Sequence, residues 1–567
     1  MDRNVIDSQT LLKTRYCRLA ALYLLLLLTA TALSAANKRS PDLTGIPSGT
    51  NVDVIIQFNH PPTAADLSMV NAQRGRVNKA LPNINGVVIT IPVQALDALA
   101  ANPNVVYMSP DRVVKGSLEF AEPTVNANIA LQYGWTGAGV GVAVIDSGIY
   151  NHPDLYNRIV YSESFLLNDA TTADPYGHGT HVAGIVGGNG AMSTGNNYIY
   201  TFRGIAPKSN LINLRVLDAG GQGTDSAVIS AIDRAIALKN TYNIRVVNLS
   251  LGRTIQESYT LDPLCQEVEK AWQAGLVVVV AAGNNGRDYS MGTSGYSTIT
   301  VPGNDPYVLT VGAMKDMSTI LRADDLISSY SSRGPALLDH VVKPDIVAPG
   351  NKIVSALSPG STVLTNGDGE QINISYYRNN NSGNVSPYYV RLSGTSMAAP
   401  MVSGAAALLL QQNPSLTPDQ VKARLMKTAT KNFPSTSVST DPLTGISYLS
   451  TYDIFTIGAG YLDVWAALNN TDVAAGTAAS PVATFDSTTG NTWILPASGS
   501  VWDTAVVWGS AVVWGSNVIT ANDLAVVWGS AVVWGSSTSS SLAVVWGSAV
   551  VWGSGTPVTS GAAVPRE

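Results

Sequence analysis

Cysteine is almost absent from this chain, whose 567 residues contain only Cys17 and Cys265. A disulfide scaffold or a thiolate metal cluster needs more than that, so neither organises the fold. Charge is sparse as well, at 13% of residues, and a net charge of −6 gives no basic field for nucleic acid. No nucleic-acid partner is expected. Five histidines in the whole chain leave few choices for a general base. The apolar run over residues 19–33 falls short of the ~20 residues that a membrane span wants. What remains is a sequence 45% hydrophobic, long enough for several units each with its own core.

The first residues have the order of an export signal. Arg3, Lys13, Arg15 and Arg18 precede the apolar run, and the small residues Ser34, Ala35 and Ala36 follow it. Removal of residues 1–36 and a secreted product, extracellular or at the cell surface, are therefore expected. A retained membrane anchor is the competing reading. Cleavage would remove Cys17 and leave Cys265 alone in an amphipathic helical stretch, where a buried packing role fits better than a nucleophile.

Residues 51–116 suggest a small α+β unit. Strands are expected over 52–58, 86–91 and 105–110, with helices over 64–79 and 92–101. From about residue 135 the pattern changes to short Val- and Ile-rich runs, at 139–145, 211–217, 244–251, 276–282 and 308–312. Helical spacing lies between and after them, at 225–239, 265–274 and 396–412, and Thr417-Pro418-Asp419-Gln420 reads as a capped helix start. Continuous apolar strands alternating with helices predict an α/β, doubly wound, mostly parallel sheet. Chemistry then belongs at strand carboxyl ends and helix N-termini.

Four local motifs fall at such places. Asp146 ends Val142-Ala143-Val144-Ile145-Asp146-Ser147-Gly148. His178 opens His178-Gly179-Thr180-His181-Val182-Ala183-Gly184, and Ser396 lies in Ser393-Gly394-Thr395-Ser396-Met397-Ala398-Ala399-Pro400. Ala281-Ala282-Gly283-Asn284-Asn285-Gly286 supplies a side-chain amide. Nucleophilic catalysis by serine needs a base for the hydroxyl, a carboxylate to hold the base's tautomer, and donors for the oxyanion. Each motif also has an ordinary reading: a capping serine, an Asp-Ser-Gly turn, a core histidine or a left-handed Asn-Gly turn. Spacing alone does not separate His178 from His181.

Together, and in this order, the four motifs resemble those of the subtilisin-like serine proteases, over residues 130–465. The resemblance implies a catalytic Asp146, His178 and Ser396, with Asn284 as oxyanion donor and His181 in the interior. It further implies that an extended protein or peptide substrate pairs with two edges, Gly221-Gln222-Gly223 and Ser250-Leu251-Gly252. Ala281, Ala282 and Gly283 would line a roomy, apolar specificity pocket with broad selectivity. By the same resemblance residues 37–118 are an inhibitory propeptide, an intramolecular partner cut somewhere in 114–122, and residues 119–470 are the catalytic domain. A permanent accessory domain is the plainer alternative for 37–118. No cofactor is required. Asp154 matches one position of a calcium site found in relatives, but the loop over 187–207 does not, and one oxygen ligand is too few for a hard cation; structural calcium is possible but unsupported, and no metal residue is assigned. Met401 replaces a histidine usual in the family, at a position that is not catalytic.

Two segments stand outside that pattern. Residues 358–389, rich in Asn, Gly and Ser, suggest an inserted surface loop. Residues 471–567 hold six charged residues and repeat Ala-Val-Val-Trp-Gly-Ser six times, with tryptophans at 508, 514, 528, 534, 546 and 552. An even period keeps equivalent positions on one face of a strand. A β repeat, a module that contacts the cell surface or a polysaccharide, and a disordered sorting segment all fit. If the tail is the working part, the chain is a surface-binding protein and not an enzyme; an intact set of four catalytic motifs argues against that.

Overall fold

The computed structural model describes residues 38–495 except 41–42, 44–45, 112, 117–123, 196, 318, 320–321, 380–382, 442–443 and 487–490, together with five short strands beyond them. The expected leader, residues 1–36, lies outside the described residues. Among the described residues no helix is long and apolar enough to cross a membrane. The chain divides into two compact units, Met1–Asp111 and Arg112–Glu567.

The first unit is a four-stranded antiparallel sheet in the order β2-β3-β1-β4. Its strands are Asn51–Phe58 (β1), Arg76–Leu81 (β2), Gly86–Pro92 (β3) and Val105–Pro110 (β4). Val54, Ile56, Ile89 and Ile91 are buried in its core. One expectation fails here. The helix predicted over 64–79 stops at Ala72, and its second half is β2. Arg74 takes a left-handed φ of 60°, which ends the helix. From Arg76 to Lys79 partly buried residues alternate with exposed ones, the period of a strand.

The second unit is built on an eight-stranded sheet. The strands are Gly141–Asp146 (β6), Ile159–Ser164 (β7), Asn210–Arg215 (β8), Ile244–Leu249 (β10), Val277–Ala281 (β12), Leu309–Lys315 (β13), Leu326–Ile327 (β14) and Ile346–Pro349 (β15). Three further short strands, Val113–Gly116 (β5), Gln222–Thr224 (β9) and Leu251–Gly252 (β11), lie off this sheet. The order is β14-β13-β12-β10-β6-β8-β7, with β15 also on β13, and every pairing is parallel except β13 with β14. The chain leaves β6 toward β8 on one side and later adds β10 on the other. That reversal opens a crevice at the carboxyl end of β6, where open α/β sheets place their ligands. β6 and β12 are buried at every position, which explains their unbroken apolar runs. β7 and β15 were not recognised in the sequence: β7 alternates partly buried and exposed residues at its start, and β15 has only four residues.

Two helices meet at the crevice, His178–Gly187 (α1) and Thr395–Gln412 (α2). They pack on one another, and α2 also lies against β10, β12 and β13. Residues 395–410 of α2 are all buried, so it threads the interior. The capped helix start at Thr417 is present, with reciprocal bonds between Thr417 and Gln420.

The segment over 358–389 is not simply a surface loop. Glu370–Asn373 (β17) and Val385–Leu392 (β18) add to Ile353–Ala356 (β16) as a three-stranded antiparallel sheet. Tyr377 and Tyr389 are buried in a cluster with Phe202, so the aromatics dispersed among polar residues supply a small second core. In the tail, Val526–Trp528 pairs with Val544–Trp546, and Val532–Trp534 with Val550–Trp552, both parallel and in register. The other repeats lie outside the described residues.

Residues at the start of the low-charge segment are tied to the core of the second unit. Ser480 Oγ donates to Asp345 Oδ1 at 2.5 Å. The same buried carboxylate receives Lys343 Nζ at 2.8 Å, Lys422 Nζ at 3.2 Å and the Thr310 N–H at 2.7 Å. Removing one partner from such a buried set leaves charges without compensation. Asp345→Ala, made in an inactive Ser396→Ala background, is expected to lose about 3–5 kcal/mol in urea unfolding. A loss below ~1 kcal/mol, the level of an exposed pair, would contradict this account.

Candidate active site

Asp146 is the last residue of β6, at the mouth of the crevice. Its Oδ1 accepts the Ser147 N–H at 2.8 Å and faces His178 Nδ1 at 2.6 Å. Both side chains are essentially inaccessible to water, at 1% and 0%. An ionised carboxylate only accepts, so Nδ1 carries the proton and Nε2 is left as the basic nitrogen.

So short a bond requires α1 to sit almost on the end of β6, and Gly179 permits that. A Cβ at Gly179 would stand 2.2 Å from the Gly148 carbonyl and 3.1 Å from Asp146 Cβ. Asp174 fixes the same helix from its N-terminal end. Its buried carboxylate accepts the N–H groups of Gly177 at 2.7 Å and Thr180 at 2.8 Å, and the Ser147 hydroxyl at 2.8 Å. Sequence reasoning missed Asp174. The signal was present, an acidic residue shortly before a helix start, where it satisfies orphan N–H groups. Burial pushes the Asp174 carboxyl above its usual range, partly offset by those bonds.

His181, three residues on, is wholly buried and bonds through Nε2 to the Ile353 carbonyl at 3.1 Å. Burial drives its pKa down to about 3, helped by the nearby His178. It therefore stays neutral across the working range, and an acid limb near the ordinary histidine value belongs to another group. The structure puts His178, not His181, on Asp146.

Ser396 is the second residue of α2. Its Oγ donates to the Ser250 carbonyl at 3.2 Å, and Ser250 Oγ donates to the Ser396 carbonyl at 2.8 Å. The second bond has a cause in the sequence. In a helix the Ser396 carbonyl would accept from residue 400, but Pro400 has no N–H. Ser250 takes that carbonyl instead, docking the helix start onto the strand edge. Asn284 Oδ1 accepts the N–H and hydroxyl of Thr395, at 3.0 and 3.1 Å, which fixes the plane of its amide next to Ser396. Gly283 donates its N–H to the same Thr395 hydroxyl at 3.1 Å.

The two predicted substrate edges are brought together as well. β9 carries Gln222 and Gly223, β11 is Leu251–Gly252, and β5 lies between them, antiparallel to both. Val114 is opposite Gly223, Lys115 is opposite Gln222 and Gly252, and Gly116 is opposite Leu251. Gly221 and Ser250 directly precede these edges. The chain's own strand β5 thus fills the gap between the two edges.

Asp154 does not stand open for a cation. Its Oδ1 accepts the Met192 N–H at 2.9 Å and its Oδ2 the Tyr389 hydroxyl at 2.7 Å. Among the described residues no group of three or more His, Cys, Asp or Glu side chains is arranged to hold a metal. Cys265 is buried, and burial raises its thiol well above the usual value, as a packing role requires.

A histidine oriented by a buried carboxylate at the end of β6, with a helix-start serine docked just past the end of β10, suits nucleophilic catalysis by serine. Comparison with known proteins gives the family. The subtilase family profile matches residues 137–442. Serine protease AprX of Bacillus subtilis is 37% identical over 402 residues, covering 68% of this chain and 84% of that protein. Subtilisin E of the same organism is 33% identical over 419 residues, covering 72% and 92%. The crystal structure of fervidolysin from Fervidobacterium pennivorans, a keratinolytic enzyme related to subtilisin, shares the fold at a TM-score of 0.56 and 22% identity, over 80% of this chain and 66% of that one. The chain belongs to the subtilase family and is a serine endopeptidase.

Gly179→Ala forces a 2.2 Å backbone contact to open and moves α1 away from Asp146. Displacements of about 1 Å at reacting groups cost ~10²-fold, so kcat/KM on a chromogenic peptide is expected to fall by about that factor. A rate within threefold of wild type would show that Gly179 does not set the distance.

Proposed function

We propose that this chain is an exported endopeptidase in which Ser396 is the nucleophile, His178 the general base, Asp146 its orienting carboxylate and Asn284 an oxyanion donor. Ser396 Oγ attacks the scissile carbonyl while His178 Nε2 takes its proton. The imidazolium, stabilised by Asp146, then protonates the leaving amine, and water repeats the sequence on the acyl-enzyme. The Asn284 amide and the Ser396 N–H receive the developing oxyanion, a donor pair in which each member is worth ~10²–10³ in rate. Ala281, Ala282 and Gly283 form the apolar pocket, and the edges at Gly221–Gly223 and Ser250–Gly252 hold substrate backbone. These steps require no cofactor or metal. At Asp154, protein donors already engage both carboxylate oxygens.

The observation that carries this reading is the strand β5 between the two edges, because Ser250, just before one edge, accepts the Ser396 hydroxyl. The described register ends with Gly116 opposite Leu251, one residue from Ser250. We propose that the bond cut lies just beyond this strand, after Ser117. We assign the preceding region, residues 37–117, as a propeptide whose strand β5 fills the gap between the two edges until this bond is cut. The export signal over 1–36 accords with a secreted product.

A fluorophosphonate probe and N-terminal sequencing test this directly, with chelator present throughout. Wild type is expected to label and to mature to a chain beginning at Leu118, while Ser396→Ala stays long and unlabelled. Equal labelling of both forms would remove Ser396 as nucleophile. A mature N-terminus more than two residues from Leu118 would refute the register, and loss of labelling in chelator would refute the metal-free reading.

A further inference from the structure

The inserted segment before the nucleophile reaches the active site. Ser358 Oγ donates to the Asp174 carbonyl at 2.7 Å. The N–H groups of Thr362 and Val363 bond the carbonyls of Pro175 and Tyr176 at 2.9 and 3.0 Å, just ahead of His178. Thr362 Oγ1 reaches across to the Ala219 carbonyl at 2.5 Å, next to the substrate edge. The Gly369 N–H closes back on the Val363 carbonyl at 2.8 Å. The insertion is thus stitched to both sides of the cleft, and its turn carries Asp368.

Tyr176 joins Asp368 to the site. Its ring lies 6.1 Å from the His178 ring, nearly parallel. On its other side it lies so close to Gly221 that a Cβ there would be 2.3 Å from a ring carbon. The Tyr176 hydroxyl donates to the Asp368 carboxylate, which also feels the charge of His178. Asp146 and Asp174 are the other carboxylates that act on Tyr176, but both are buried and already hold α1. Asp368 is only partly buried and belongs to no salt bridge among the described residues.

Lys115 lies opposite Gln222, so the next position of an added strand comes level with Gly221 and the Tyr176 ring. Successive side chains of an extended peptide point to opposite faces. In the function proposed above, the residue just before the cut faces the pocket formed by Ala281, Ala282 and Gly283. The one before it therefore turns toward Tyr176. We propose that Asp368 is a specificity-determining residue, an acidic wall on the Tyr176 side that selects lysine or arginine two positions before the cleaved bond. The chain's own residue there is Gly116, which presents no side chain to the wall.

This rests on the endopeptidase reading above, and peptide kinetics separate the two. Three peptides would differ only at the second residue before the bond, as Lys, Met or Glu, with the cut confirmed by mass spectrometry. Wild type is expected to prefer Lys over Glu by about tenfold or more in kcat/KM, a ratio that shrinks as salt screens the pair. In Asp368→Asn the ratio should fall toward one, whatever the rate on the Met peptide, and Asp368→Glu should restore it. A wild-type ratio below twofold, or the same ratio in Asp368→Asn, would overturn the proposal, and the wild-type arm needs no variant to fold. Failure of wild type to cleave the Met peptide would overturn the peptidase reading itself.

Discussion

The 2.6 Å contact between Asp146 and His178 is the constraint around which the second unit is arranged. A carboxylate at 1% exposure is expensive to bury unless its partners are fixed in advance. The surroundings fix them. β6 ends at Asp146 in the centre of the sheet, Gly179 lets α1 close on the strand, and Asp174 holds the helix start from the other side. The long buried helix α2 is set by the same sheet and brings Ser396 to the same crevice. Pro400 and Ser250 then lock its first turn onto the edge that pairs with β5.

Much of this was legible in the sequence because the physics is local there. Buried parallel strands read as unbroken apolar runs, so β6, β8, β10, β12 and β13 were visible, as was the capped helix at Thr417. The helices that open at His178 and Ser396 were visible too. What escaped depends on contacts distant in sequence. β7 alternates partly buried and exposed residues at its start, β15 is four residues long, and β2 follows a helix that one left-handed residue ends. Polar composition made 358–389 look like a loop. Its tyrosines find their core only when Phe202 is brought alongside, more than 150 residues away in sequence.

The candidate site divides in the same way. Asp146, His178, Ser396 and Asn284 stand in motifs, and the structure gathers them at one crevice. The choice of His178 over His181 required the fold: one ring meets a carboxylate, while the other is sealed against a backbone carbonyl with its pKa driven down to about 3. The reciprocal Ser250 bonds and Tyr176 with Asp368 became visible only when distant segments met. The insertion both engages Asp154 through Tyr389 and carries a carboxylate to the rim of the cleft.

The most direct test of the central claim is the turnover of Asp146→Asn, with its thermal unfolding midpoint measured alongside. An amide at this position keeps the shape but no longer enforces the proton on His178 Nδ1, and such a change lowers kcat by about 10⁴-fold where a carboxylate holds the working tautomer. The account predicts a loss of that order with an unfolding midpoint close to that of wild type. A variant that retains a tenth or more of wild-type turnover would contradict it.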